Sequence, residues 1–159
     1  MTTNCNYRAK DVVVAGGVWS RGLLAPLGVH VPLTSQRGYH AMLPENAVEI
    51  GMPFIHRRRG IGLTPMTGGL RVAGTVEFGG IDGVPHEKRA EQALHHAHEI
   101  FPALKNVQPT SIWTGQRPAT PDSLPVIGAA GKRPGLWLAF GSGAYGMPQG
   151  PTGANCWRI

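Results

Sequence analysis

The apolar residues change their spacing several times along the chain, and each change marks an element. "DVVVAGGVWS" (Asp11 to Ser20) opens on three consecutive valines and stops at Gly16-Gly17. An unbroken β-branched run predicts a strand buried on both faces, as in a parallel sheet. The paired glycines just past it let a backbone or a ligand come close. "SRGLLAPLG" reads as a short helical turn, capped by Ser20 and broken at Pro26 and Gly28. From Val29 to Phe78 loose alternation predicts strands, with a hairpin where Thr67-Gly68 separates "GIGLTPM" from "GLRVAGTVEF". In the second of these, Leu70, Val72, Gly74, Val76 and Phe78 fall on one face, which predicts one side packed on a core. Gly74 in that strand marks a bulge or a close approach.

Between Pro85 and Leu104 the period becomes helical. Ala90, Ala93, Leu94, Ala97, Phe101 and Leu104 form the i, i+3, i+4, i+7 stripe of a surface helix, with Pro85 suited to its entrance and Pro102 to its exit. "VQPTSIWTGQRP" then predicts a strand entering a turn. "GLWLAFGSGAYGMPQGPTGA" predicts an apolar strand that runs into a glycine-rich loop. The expected class is α+β: an antiparallel sheet with one main helix, and a buried strand near each terminus.

Composition narrows this reading. A chain of 159 residues fits a single domain with a real core. A net charge of +6 and a pI near 9.9 fit an anionic partner (nucleic acid, a membrane surface or a phosphate-bearing cofactor) or simply a solvated basic surface. Cys5 and Cys156 lie at opposite ends with no CxxC pair, so neither a zinc motif nor a thioredoxin-like motif is supported, and a reducing cytoplasm fits. Met1 to Lys10 is polar and lacks the apolar core of a signal peptide. No apolar run approaches the roughly 18 residues of a membrane span. The expected location is cytoplasmic.

Four clusters invite chemistry. His95, His96 and His98 lie on the helix, with Glu91 and Glu99 one turn to either side of His95, but only two of the three histidines share a side. A zinc site needs three or four converging ligands, so no metal is expected and the carboxylates are the local partners. "HRRRG" (His56 to Gly60) is a compact basic run at a hairpin turn or edge. It lacks the interleaved aromatics of a single-strand binder, which disfavours nucleic acid. "GSGAYG" (Gly141 to Gly146) fits the letters G-x-G-x-x-G, yet "MPQGP" after it predicts no crossover helix. Arg117 stands in "GQRPATPDSLPVIG", where Pro118 favours an extended backbone. Its guanidinium suits a ligand carboxylate gripped by two parallel hydrogen bonds, or equally a structural bridge to Asp122.

Taken in order, "DVVVAGGVWSRGLLAPLGVHVPL", "RGYHAML", "TPMTGGLRVAGTVEF", "WTGQRPATPDSLPVIG" and "GLWLAFGSGAYG" resemble the C-terminal part of the FAD-dependent amine oxidoreductases. The resemblance is to the D-amino acid dehydrogenase small-subunit type, with glycine oxidase and sarcosine oxidase more distant, and it runs from about Asp11 to Thr152. It implies FAD as cofactor and oxidation of a D-amino acid to a 2-oxo acid and ammonia. It implies that Arg117 holds the substrate carboxylate and that Tyr39 and His40, on the first long strand of a substrate domain, lie near the substrate. Gly16, Gly17 and Trp19 then end a flavin-domain strand where backbone meets cofactor. Gly141, Ser142, Gly143, Ala144, Tyr145, Gly146 and Met147 form the loop beside the flavin ring. Within a single domain, residues 29–112 would be the substrate-domain core, and 11–28 with 113–159 remnant segments of a flavin-binding α/β domain. The resemblance also admits a peripheral place on an inner membrane.

The chain departs from the family in three places. The family opens with a βαβ unit carrying GxGxxG, which takes about thirty residues, and the ten residues before Asp11 do not supply it. Ser142 and Ala144 stand where the family often has histidines. "ANCWRI" is short for the terminal helix expected after Gly153. A C-terminal fragment is therefore expected, binding FAD weakly or not at all and inactive alone. The competing expectation is a non-catalytic assembly module, which self-associates or joins a chain carrying the missing flavin domain through an exposed flavin-facing side.

Overall fold

The structure, a computed structural model, describes residues 5–155; Cys156 and the residues after it lie outside the described residues. In chain order the first elements are strand β1 (Val12–Val14), helix α1 (Ser20–Leu24), and strands β2 (Thr34–Leu43), β3 (Phe54–His56), β4 (Ile61–Met66) and β5 (Gly69–Glu77). Helix α2 (Lys88–Ile100), strands β6 (Ser111–Ala119), β7 (Val126–Ala129) and β8 (Leu136–Phe140), and helix α3 (Gly146–Asn155) follow. The elements divide into two compact units. One is Met1–Thr34 together with Arg117–Ile159, and the other is Ser35–Gln116.

The first unit is built on a three-stranded sheet of order β1-β8-β7. β1 runs parallel to β8, with Val12 beside Leu136 and Val14 beside Leu138, and β7 pairs antiparallel on the other side of β8. Leu24, Leu33, Leu138 and Phe140 form its buried core. The parallel pairing matches the valine run, but burial on both faces does not. β1 is the sheet edge, and Val12 and Val13 are each 51% exposed. After β1 a 3-10 turn (Gly17–Trp19) leads directly into α1. Ser20 is the first residue of α1 rather than its cap; Trp19 takes the cap position without a side-chain hydrogen bond.

The glycine-rich segment after β8 also differs from the sequence reading. A 3-10 turn (Gly143–Tyr145) passes straight into α3, so a helix does follow "GSGAYG". Pro148 is the third residue of that helix, where an N–H would have no intrahelical partner, so its missing donor costs nothing there. Pro151 is the one proline inside the helix and forfeits a single bond.

In the second unit the sheet order is β3-β4-β5-β2-β6. The β4–β5 hairpin closes over Thr67-Gly68, with Met66 opposite Gly69, and the β3–β4 hairpin closes over Arg57–Gly60, with His56 opposite Ile61. Ala41, Leu43, Ile61, Leu63, Leu70 and Val72 of the sheet pack against Ala93, Leu94 and Ala97 of α2. The helical stripe is thus buried as its spacing predicts, although α2 begins at Lys88 rather than at Pro85. Gly74 is where the helix touches the sheet: a Cβ there would stand 2.6 Å from the Ala93 Cβ. The pairing register shifts at the same place: Gly38 faces Val76 and His40 faces Ala73, so Gly74 and Thr75 stand opposite Tyr39 alone and the bulge lies on β5. The buried face of β5 ends at this contact, and Val76 and Phe78 are exposed.

Candidate functional site

In the first unit the parallel pairing of β1 and β8 brings two turns to one end of the sheet. Gly16-Gly17 follows the C-terminal end of β1, and Gly141–Gly143 follows that of β8. The carboxyl ends of adjacent parallel strands are where α/β sheets receive ligands. Gly17 (φ +58) and Gly143 (φ +52) hold left-handed backbone conformations that other residues rarely adopt. A Cβ on Gly17 would meet nothing within 4 Å, so this turn borders open space. The Ser20 hydroxyl lies beside Gly16, fully buried and without a hydrogen-bond partner.

The end of β6 joins these turns. Ala119 forms an antiparallel bridge with Ser142, and the position of a Gly143 Cβ lies 4.0 Å from the Pro118 carbonyl oxygen. Arg117, two residues before the bridge, therefore belongs to the strand and not to a proline-rich turn. It is partly buried and makes no ion pair or side-chain hydrogen bond among the described residues. The alternative bridge to Asp122 is not made: the Asp122 carboxylate accepts the Leu124 N–H at 3.1 Å, and the Thr120 hydroxyl donates to the Leu124 carbonyl at 2.8 Å. The site side chains around the turns face solvent in this unit, with Trp19 60%, Tyr145 64% and Met147 91% exposed. Ala144 and Gly146 are exposed beside them, and a cavity of about 310 Å³ lined by Ile127, Phe140, Ser142 and Gln149 opens between the sheet and α3.

In the second unit Tyr39 and His40 sit in different surroundings. Tyr39 is buried; its hydroxyl donates to the Glu77 carboxylate and accepts the His86 N–H at 3.0 Å. Arg37, 2% exposed, donates to the Gly83 carbonyl at 2.6 Å and to Glu77 at 3.4 Å. His40 stacks on Trp113 with ring centroids 5.0 Å apart, and the indole fills the space beside Gly115. Burial, then the nearby Arg71 charge, push the His40 imidazole below its usual value, so its neutral form is favoured. The Arg37–Glu77 pair was not anticipated from the sequence. Its signal is the charged Arg37 standing two residues before Tyr39, on the same inward face of a strand.

The Tyr39 hydrogen bond first, then the charges of His86, Arg37 and Arg89, hold the Glu77 carboxyl below its usual 4.5. The fold therefore favours the carboxylate. The stability it contributes is present above 4.5 and is lost as pH falls through the depressed value. Tyr39→Phe removes the leading cause. Its melting temperature is expected to fall less than that of the parent between about pH 5 and about pH 3. Parallel melting curves for the two proteins over that range would contradict this assignment.

Comparison with known proteins follows the same outline. The family model described as FAD dependent oxidoreductase matches residues 2–156. The chain is 39% identical over 140 residues to a D-amino-acid oxidase of Bradyrhizobium diazoefficiens, covering 85% of this chain and 33% of that protein. It is 31% identical to a glycine oxidase of Pseudomonas aeruginosa, covering 98% of this chain and 42% of that protein. Among solved structures, glycine oxidase from Geobacillus kaustophilus superposes with a TM-score of 0.81 at 25% identity, over 94% of this chain and 40% of that one. The chain thus spans between a third and a half of the length of these proteins. With one family model matched across nearly all of its residues, the chain belongs to the FAD dependent oxidoreductase family.

Proposed function

We propose that this chain is the substrate-binding and flavin-facing part of an FAD-dependent oxidoreductase that oxidises D-amino acids. The observation that carries the reading is Arg117: a guanidinium with no anionic partner among the described residues, on a strand end bridged to the glycine loop after β8. Its role is to grip the substrate carboxylate in a bidentate pair, which fixes the orientation of the α-carbon. The residues present fit the flavin end of FAD. The open left-handed turn at Gly17, the orphaned Ser20 hydroxyl beside Gly16, and the loop Gly141–Met147 leading into the free N–H groups of α3 all support this assignment. Trp19 adds an exposed apolar surface beside that turn. Bound FAD would supply the two-electron acceptor for the hydrogen on the α-carbon. The amine loses a proton as the C=N bond forms, and water then converts the imino acid to a 2-oxo acid and ammonia.

In this reading the core of 29–112 is the substrate domain, and 11–28 with 113–159 are the flavin-domain segments. Tyr39 acts as a positioning residue through its hold on Glu77 and His86, and His40, kept neutral against Trp113, presents an uncharged surface to the substrate. In this reading the chain on its own binds FAD weakly and turns over little. Preference for the D-configuration is supported by the names of the relatives, which include D-amino acid dehydrogenases at 33% and 35% identity.

The test is oxidation of D-alanine, followed by ammonia release, by this chain co-produced with the N-terminal part of the Bradyrhizobium oxidase. FAD-dependent turnover of the D- but not the L-amino acid is expected. Turnover equal with both enantiomers would remove the stereochemical part, and a folded FAD-loaded assembly without turnover would remove the reading itself. A second reading, self-association, is favoured by one observation: the edge strand β1 exposes Val12 and Val13, and Trp19 and Leu23 of the turn and helix after it are exposed too. Light scattering that finds a strict monomer at high concentration would sink it.

A further inference from the structure

The basic run that the proposed reaction does not use lies in the second unit, on the β3–β4 turn. His56, Arg58 and Arg59 of this turn and His96 of α2 line a cavity of about 500 Å³, and no acidic side chain lines it with them. The Arg59 backbone N–H donates to His56 Nδ1 at 3.3 Å. A nitrogen that accepts carries no proton, so the neutral His56 ring bears its hydrogen on Nε2. The Arg59 guanidinium approaches His96 Nδ1 at 3.2 Å, and the Glu99 carboxylate lies 3.3 Å from the same nitrogen. Arg59 is also paired with Glu99, which offsets its charge. Arg58 makes no hydrogen bond or ion pair among the described residues. The unpaired Arg58 guanidinium, the remaining Arg59 N–H groups and the His56 Nε2–H therefore offer donors to the cavity.

We propose that this cavity is a binding site for a phosphate-class oxyanion, with Arg58 as its principal charge and Arg59 and His56 as orienting donors. A metal ion would meet the guanidinium charges of Arg58 and Arg59 there. A tetrahedral oxyanion presents acceptors in every direction and matches a wall of donors. The phosphate has two possible sources. One is a soluble phosphate or phosphate ester. The other is a lipid headgroup, since Met52 and Ile55 next to the turn are 72% and 75% exposed.

The test uses the purified chain and two variants of equal charge. Arg58 lines the cavity, whereas Arg57, its neighbour on the same turn, does not. Calorimetric titration with inorganic phosphate is expected to saturate at one site. Arg58→Ala is expected to weaken binding about tenfold, and Arg57→Ala by less than about twofold. Both side chains are exposed, and circular dichroism confirms that each variant is folded. Equal weakening by the two variants, which is the signature of diffuse surface charge, would overturn the proposal, as would a failure to saturate. Vesicles of phosphatidylcholine containing phosphatidylglycerol separate the two sources. Co-sedimentation lowered by Arg58→Ala and displaced by free phosphate supports the lipid source. Phosphate binding without co-sedimentation supports the soluble one.

Discussion

In an assembly that turns over D-amino acids, Arg117→Met raises KM by about 100-fold, while the melting temperature stays that of the parent. Two charge-assisted hydrogen bonds to a carboxylate, each contributing about 1.5 kcal/mol or more, account for this size. Arg117→Lys keeps the charge and loses the planar fork, so its loss is expected to be nearer tenfold. The stability half of the expectation follows from the absence of an internal partner. No carboxylate among the described residues depends on Arg117, and Asp122 is held by the Leu124 amide. A structural arginine would behave oppositely, with melting temperature and affinity falling together. Rates measured at saturating substrate separate binding from chemistry, because a group that only holds the carboxylate changes KM more than kcat.

Gly74→Val destabilises the second unit by about 3 kcal/mol, at the upper end of what overpacking costs. The added Cβ alone would stand 2.6 Å from the Ala93 Cβ, well inside van der Waals contact. Ala93 is 1% exposed on the buried face of α2, so the helix would have to lift from the sheet to make room. That movement would also loosen Leu63 and Val72, which share the same core. Ala93→Gly in the same chain removes the opposing methyl group. The double variant is expected to recover about 1 kcal/mol or more relative to the sum of the two single changes. Denaturant unfolding of the four proteins gives this coupling directly. Additive losses would mean that the Gly74–Ala93 contact does not set the spacing between helix and sheet.

What could be read from the chain depended on the range of the interaction. The α2 stripe and both hairpins were legible because a period of 3.6 or 2, and a two-residue turn at Thr67-Gly68, are local properties. The exposure of β1 was not. Three valines report that no polar residue intervenes, but an edge strand and a central strand can carry the same letters. The helix after Gly146 was missed because a proline is disruptive only relative to where the helix starts, and Pro148 falls in the first turn. The Arg37–Glu77–Tyr39 cluster joins positions about forty residues apart and depends on cross-strand register, including the shift between Gly38 and His40. At Arg117 the letters left ligand and bridge open. The bridge is not formed, because the Asp122 carboxylate turns to its own backbone two residues on.

The central claim is that the Arg117 guanidinium is available to an amino acid's carboxylate beside the loop at Ser142 and Gly143. Its most direct measurement is an NMR titration of the chain, following the Ser142 and Gly143 amides, first with D-alanine and then with D-alaninamide. Saturable shifts with the acid, small shifts with the amide, and loss of both in Arg117→Met are the result expected here. Equal responses to acid and amide, or shifts that survive Arg117→Met, would contradict it.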